Sequence, residues 1–364
     1  MKKIMMIAVM AIAVFTGCSQ SEVVDISAGR AIGFETYVGK TSTRGVPVTG
    51  TSFGTGATMQ VWGFYGTSQM GSTWDASAAA LPNLAGAEIT KGADAKWSYS
   101  PMAYWKDNNA HTFFACAPAV KAGVTFNEGK ITYTVQDLVE DQVDFMVADA
   151  KKNEVWLEST GTTTPQVFAF RHALSQIKYE VKLTNDDATK ATDVTVKHIL
   201  IQNMSKDNDE IASTLATTGE IDVVGRTDTN ADIAYVSAAT GTANSYKVEP
   251  DVAVALEAAS TTPEYVAVNH KTDDVLMLMP QTTTGKVKFT ISLGYKDKDG
   301  ADQTAEAYFI TTAAQTWSPN KIYTYKFGID MPQVLGLMPV EFGEPTIESW
   351  DTAVNEETPT QTKP

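Results

Sequence analysis

The dominant pattern along the chain is a period of two. Met59 to Tyr65 reads as a strand with aromatic residues on both faces, and His111 to Ala117 as a buried strand stopped by Pro118. Val124–Phe126 and Ile131–Val135 bracket Asn127-Glu128-Gly129-Lys130, a hairpin signature. Further strand segments fall at 143–148, in the alternating later part of 167–183, and at 194–203, 253–258, 266–268, 275–279 and 321–329. Val287–Tyr295 and Glu306–Thr311 flank Lys296-Asp297-Lys298-Asp299-Gly300, a second hairpin. No long stretch carries a helical period, and residues 66–96 read as a long loop with one short helix. These strands predict an all-β protein of two β-sandwiches, with a single full β-barrel as the alternative architecture. The Thr-rich loop at 161–165 places the boundary between an N-terminal sandwich, residues 45–166, and a C-terminal one, residues 167–350, with an acidic tail at 351–364.

Composition narrows the function. A chain of 364 residues, 43% hydrophobic and 20% charged, is long enough for two ordinary domains and too apolar for disorder to be the default. Its net charge of −15, with no basic stripe to neutralise phosphates, argues against nucleic acid as a partner. Of its two cysteines, Cys116 sits in Phe113-Phe114-Ala115-Cys116-Ala117, where its neighbours make it a small core residue rather than a nucleophile.

The other cysteine, Cys18, belongs to the N-terminal segment. Met1-Lys2-Lys3 is a short basic start, and Ile4–Phe15 is an apolar run of signal-peptide length, too short for a permanent membrane span. Phe15-Thr16-Gly17-Cys18 resembles the bacterial lipoprotein box, which implies a signal peptide at 1–17 and a covalent lipid on Cys18. With Cys18 acylated, no intrachain disulfide is available. Next comes a self-contained alternating segment, Ile32-Gly33-Phe34-Glu35-Thr36-Tyr37-Val38, and then the polar run Thr41-Ser42-Thr43-Arg44-Gly45. An arginine in such a loop is ordinarily just solvated. Its position just after a strand makes Arg44–Gly45 a candidate cleavage site for a trypsin-like protease.

Several stretches together resemble the fimbrillins, lipoprotein-derived subunits of the type V pili of anaerobic gut and oral bacteria. They are the box at Cys18, Ile32-Gly33-Phe34 followed by Thr43-Arg44, Ala103-Tyr104-Trp105, Phe113–Pro118, Asp144–Ala148, Phe170–Leu174, Leu278–Gln281, Trp317–Tyr323 and Ile347–Trp350. The resemblance spans nearly the whole chain. It implies two tandem transthyretin-like sandwiches, export to the outer membrane as a lipoprotein, cleavage after Arg44, loss of the first strand from the 18–44 propeptide, and its replacement by a strand of a neighbouring subunit. The expected partners are other pilus subunits, the processing protease, the membrane before cleavage, and a host or bacterial surface. With Ile32, Phe34, Thr36 and Val38 facing inward, three large apolar side chains would contribute roughly 5–9 kcal/mol to strand retention. As a donor the chain is less well equipped. Leu335, Leu337, Val340 and Phe342 are interrupted by Pro339, Ile347–Trp350 is short, and the tail offers only Ala353 and Val354. A terminal, tip-like or low-copy subunit is the expectation.

Chemistry beyond assembly has little support. His111, His172, His198 and His270 show no metal-ligand spacing. Asp297-Lys298-Asp299-Gly300 echoes the start of a calcium loop, but no glutamate closes it, and a hairpin turn is the simpler reading. No nucleophile elbow or phosphate-cradling loop is present, so neither an enzyme nor a cofactor is expected, although a glycosidase's two carboxylates carry no sequence signature. Trp62, Trp97, Trp105 and the nearby tyrosines either build core or form a sugar-stacking platform, so a monomeric glycan-binding surface lipoprotein is the alternative to a pilus subunit.

Overall fold

A computed structural model describes residues 30–38, 53–120, 123–156, 165–185, 191–204, 215–225, 233, 245–257, 264–271, 274–336, 340–341 and 345–349. The strands up to His172 are β1 (Phe34–Val38), β2 (Thr58–Gly66), β3 (Ala79–Lys91), β4 (Trp97–Ser98), β5 (Ala110–Ala117), β6 (Val124–Asn127), β7 (Lys130–Thr134), β8 (Met146–Ala148), β9 (Lys151–Glu154) and β10 (Gln166–His172). They are followed by β11 (Ser175–Asn185), β12 (Thr192–Asn203), β13 (Thr218–Asp222), β14 (Tyr246–Val248), β15 (Val254–Ala255), β16 (Val266–Ala267), β17 (Leu276–Leu278), β18 (Gln281–Lys296), β19 (Asp302–Trp317) and β20 (Lys321–Asp330). A short helix α1 (Met331–Leu335) leads to β21 (Val340–Glu341) and β22 (Thr346–Ser349). The all-β class expected from the alternation is what the chain adopts.

The N-terminal half is organised by one eight-stranded sheet in the order β1-β10-β8-β5-β2-β3-β4, with β9 also paired to β5. Both faces of its centre are covered. Phe113, Ala115 and Ala117 of β5 join Ile32, Phe34, Met59, Val61, Phe168 and Phe170 in one core. Phe114 and Cys116, pointing the other way, join Trp62, Tyr133, Phe145 and Val147 in a second. This burial on both sides is why β5 reads as an unbroken apolar run rather than an alternation.

The second core is closed by a three-stranded sheet, β13-β7-β6. The hairpin between β6 and β7 falls where the sequence places it, with Glu128 and Gly129 both at positive φ, 46° and 78°. Gly129 also lets another strand approach. A Cβ there would collide with Val224, which follows β13. β13 lies between β12 and β14 in the chain yet pairs with β7, so the C-terminal half supplies part of the N-terminal core through Ile221, Val223 and Val224.

The C-terminal half packs two sheets against each other, β16-β11-β20-β22 with β17 on β11, and β14-β12-β18-β19-β21 with β15 on β12. Tyr179, Phe289, Phe309, Trp317, Tyr325 and Phe327 fill the space between them. The Trp317 indole donates to the Tyr325 hydroxyl at 3.0 Å, which donates onward to Gln315 Oε1 at 3.1 Å, so these buried polar groups are paired. The long β18–β19 hairpin turns at Asp297, whose carboxylate accepts the Asp299 and Ala301 N–H groups at 2.9 Å each. Those bonds hold the exposed carboxyl below its ordinary value, and Asp297 acts as a turn residue.

A boundary at 166/167 falls one residue into β10, and hydrogen bonding carries β10 into the first sheet, between β1 and β8. Trp105, Phe113, Phe114, Phe170, Leu174 and Ile177 are all buried. Phe170 belongs to the first core, and Leu174 packs where the halves meet, with Val275, Met277 and Met279.

Candidate functional site

The segment that carries the functional expectations, residues 30–38, occupies a seam. On one side β1 runs parallel to β10 in the register Phe34↔Gln166 to Val38↔Phe170. On the other, Ala31 bridges Tyr104, the Ile32 N–H donates to the Ala103 carbonyl at 2.9 Å, and the Trp105 N–H donates to the Arg30 carbonyl at 3.0 Å. Residues 103–105 follow β4, the far end of the same sheet. The eight-stranded sheet is thus rolled around its apolar face, and the segment containing β1 joins its two ends.

Side chains reinforce the closure. Ile32 is fully buried and Phe34 nearly so. Phe34 stacks on Phe168 at 5.5 Å and meets Phe113 edge-on at 5.7 Å and Tyr99 at 5.9 Å. Half-buried Thr36 accepts a hydrogen bond from the Trp97 indole at 3.0 Å. The Tyr99 hydroxyl donates to the Ile32 carbonyl at 2.9 Å and accepts from the Ala103 N–H at 3.2 Å. Burial pushes this hydroxyl up to about 12, with a weaker opposing effect of the Ala103 hydrogen bond, so it remains a neutral donor at physiological pH. Arg30 pairs with Asp107, one Nη1 lying 2.8 Å from each carboxylate oxygen. Glu35 and Tyr37, on the alternate positions, are exposed.

Of the expected inward set, Ile32 and Phe34 are buried, Thr36 is half-buried and hydrogen-bonded, and Val38 is paired through its backbone, its side chain lying outside the described residues. Burying Ile32 and Phe34 contributes roughly 3–6 kcal/mol as an upper estimate, a smaller sum than the three-residue expectation. Cys18, Arg44 and Gly45 also lie outside the described residues. In the chain, Arg44 falls between Val38 in the seam and Phe53, which is buried in the same core against Trp97 and Phe170. A cut at Arg44 therefore leaves β1 without a covalent link to the body.

Ala103-Tyr104-Trp105 is one of the stretches that carry the family resemblance, but nothing in the sequence marks it, or Asp107, as a partner of residues 30–32. Other motif stretches come together through strand pairing. Asp144 and His172 meet fully buried, with Oδ1 and Nδ1 2.8 Å apart, because His172 pairs with Met146.

The proposed sugar platform does not assemble. Trp62 and Trp105 are buried in cores on opposite faces of the first sheet, and Trp97 is turned to Thr36. The histidines are dispersed. His111 is buried beneath Trp105 and held below its ordinary value by that burial, and its Nε2 accepts the Lys106 N–H at 3.0 Å. His198, on the second half, is lowered by burial and by Lys247. Among the described residues no three His, Cys, Asp or Glu side chains converge as a metal site, and no helix is long and apolar enough to cross a membrane.

The fold and the seam define a class: all-β proteins in which an N-terminal strand completes a rolled sheet. A family model described as fimbrillin-like matches residues 43–350, and the chain belongs to that family. Similar solved structures include a fimbrial protein from Bacteroides vulgatus ATCC 8482, at 16% identity and a TM-score of 0.57, with 88% of this chain and 99% of that chain covered. Another is a protein from Bacteroides uniformis ATCC 8492 assigned provisionally to cell adhesion, at 15% identity and a TM-score of 0.46, with 88% and 98% covered. A protein from Bacteroides ovatus ATCC 8483 with the same provisional assignment has 16% identity and a TM-score of 0.46, with 88% and 96% covered. No curated protein matches the sequence.

Proposed function

We propose that this protein is a structural, non-enzymatic subunit of a cell-surface pilus, serving adhesion or biofilm attachment and assembled by strand replacement at the seam. It is exported to the outer membrane, lipidated on Cys18, and cut after Arg44 by a trypsin-like protease. Residues 18–44 then depart, and a strand from a neighbouring subunit fills the place of β1. The observation that carries this reading is the seam. β1 is the element that joins both ends of the rolled sheet, and the chain reaches the rest of that sheet only through the segment containing Arg44. Removing β1 would expose the aromatic face around Phe168 and Phe113 and leave unpaired backbone groups on two sides, which a donated strand satisfies.

A terminal or low-copy position suits the other end of the chain. Among the described residues the C-terminal segment pairs through two residues parallel to β19 and four antiparallel to β20, with Ile347 exposed. As a donor it is short and interrupted by Pro339. The test compares wild type with Arg44→Ala after limited trypsin treatment, on unboiled non-reducing gels. Oligomers formed by the cut wild type, alone or with co-expressed subunits, and absent from Arg44→Ala are the expected result. Identical behaviour of the two proteins in every assembly assay would remove the strand-replacement mechanism.

A further inference from the structure

The seam holds more than an apolar groove. Four alternate side chains of residues 30–36 are each met by a different partner. Arg30 meets the Asp107 carboxylate, Ile32 enters the core, Phe34 lies among Tyr99, Phe113 and Phe168, and Thr36 receives the Trp97 indole N–H. The intervening Glu35 is exposed and leaves its position open. Orientation is set as well, because pairing with β10 is parallel and Asp107 stands at the N-terminal end of the segment.

Resting on the strand-replacement reading above, we infer that this seam selects a strand of the pattern basic–x–aliphatic–x–aromatic–x–Ser/Thr, inserted parallel to β10, and that a different subunit supplies it. Asp107 and Trp97 are the specificity-determining residues, since the apolar positions accept many strands while a like charge beside the Asp107 carboxylate and an unmatched Trp97 indole N–H each penalise the wrong one. The pattern occurs once in the 364 residues, at Arg30–Thr36 itself. The chain's own C-terminal segment carries the same aliphatic–x–aromatic pair in Val340-Glu341-Phe342. In that register it places Met338 opposite Asp107 and Glu344 in the position of Thr36, so it lacks both the basic and the hydroxyl residue. The C-terminal segment of a second copy is thus the wrong donor.

The experiment uses the full chain cut at Arg44 and fluorescent peptides read by polarisation. The peptides are residues 27–40, the same peptide with Arg30→Glu or Thr36→Val, and residues 336–349. Arg30→Glu and Thr36→Val should each weaken uptake by about five-fold or more, and the C-terminal peptide should bind at least about ten-fold more weakly than 27–40. Asp107→Lys in the protein, at a carboxylate whose side chain is 59% exposed and so dispensable for folding, should restore the Arg30→Glu peptide and weaken the native one. Equal uptake of all four peptides, or no reversal by Asp107→Lys, overturns the selectivity while leaving strand replacement standing. Failure of the native peptide to enter the cut protein at all overturns both.

Discussion

Phe34→Ala is the perturbation that most directly probes the seam. The ring is buried to 4% exposure and packed against three aromatic rings from β10, β5 and the stretch after β4. Truncating a phenylalanine in such a site costs about 3–5 kcal/mol, because the rings around it hold one another and collapse only partly into the space. In the uncut chain, that loss should appear in urea denaturation as a lower midpoint with little change in slope. In the cut chain, the same loss falls on retention of the 18–44 fragment. It raises the dissociation constant by roughly a hundred-fold to several thousand-fold. Dilution followed by size exclusion, with the fragment quantified by mass spectrometry, measures it. Tyr37→Ala on the exposed face of the same strand is the control and should change stability by less than about 0.5 kcal/mol. A loss below about 1 kcal/mol for Phe34→Ala, together with a fragment that stays bound on dilution, would refute the claim that this face of β1 holds the rolled sheet closed.

Alkaline pH should release the strand. The Tyr99 hydroxyl is raised from 10 to about 12 by burial, so its contribution is full below pH 10 and is lost as pH rises through about 12; in Tyr99→Phe, fragment retention should be weaker at neutral pH and should lose part of its dependence between pH 10 and 12. Gly129→Ala should cost at least about 1–2 kcal/mol in urea denaturation, since a left-handed residue gains a Cβ aimed at Val224, and an unchanged midpoint would mean the clasp by β13 is loose. Cys18→Ala should leave an unprocessed or unanchored precursor in membrane fractionation, and a normal membrane share for this variant would end the lipoprotein reading.

What the sequence by itself determined is local. Alternation settles which side chains of a strand share a face, so Ile32 with Phe34, and Phe113 opposite Phe114, were legible before any strand partner was known. Turn chemistry settles the two hairpins, because Gly129 and Asp297 act on backbone within a few residues of themselves. The family motifs and the polar run around Arg44 are likewise short stretches of contiguous chain. Tertiary structure alone decided the pairings. Every strand presents the same N–H and C=O groups, so nothing in β10 marks it as the parallel neighbour of β1, and nothing in β13 marks it as the third strand of a sheet more than eighty residues earlier in the chain. The loop at 161–165 looks like a boundary because it is polar, yet the strand after it turns back into the first sheet. The tryptophans that sequence left open between core and sugar platform were settled by which face of a rolled sheet each one meets. The seam itself depends on Asp107, Tyr99 and Trp97 lying within reach of a strand some sixty to eighty residues earlier, a proximity that only closure of the sheet creates.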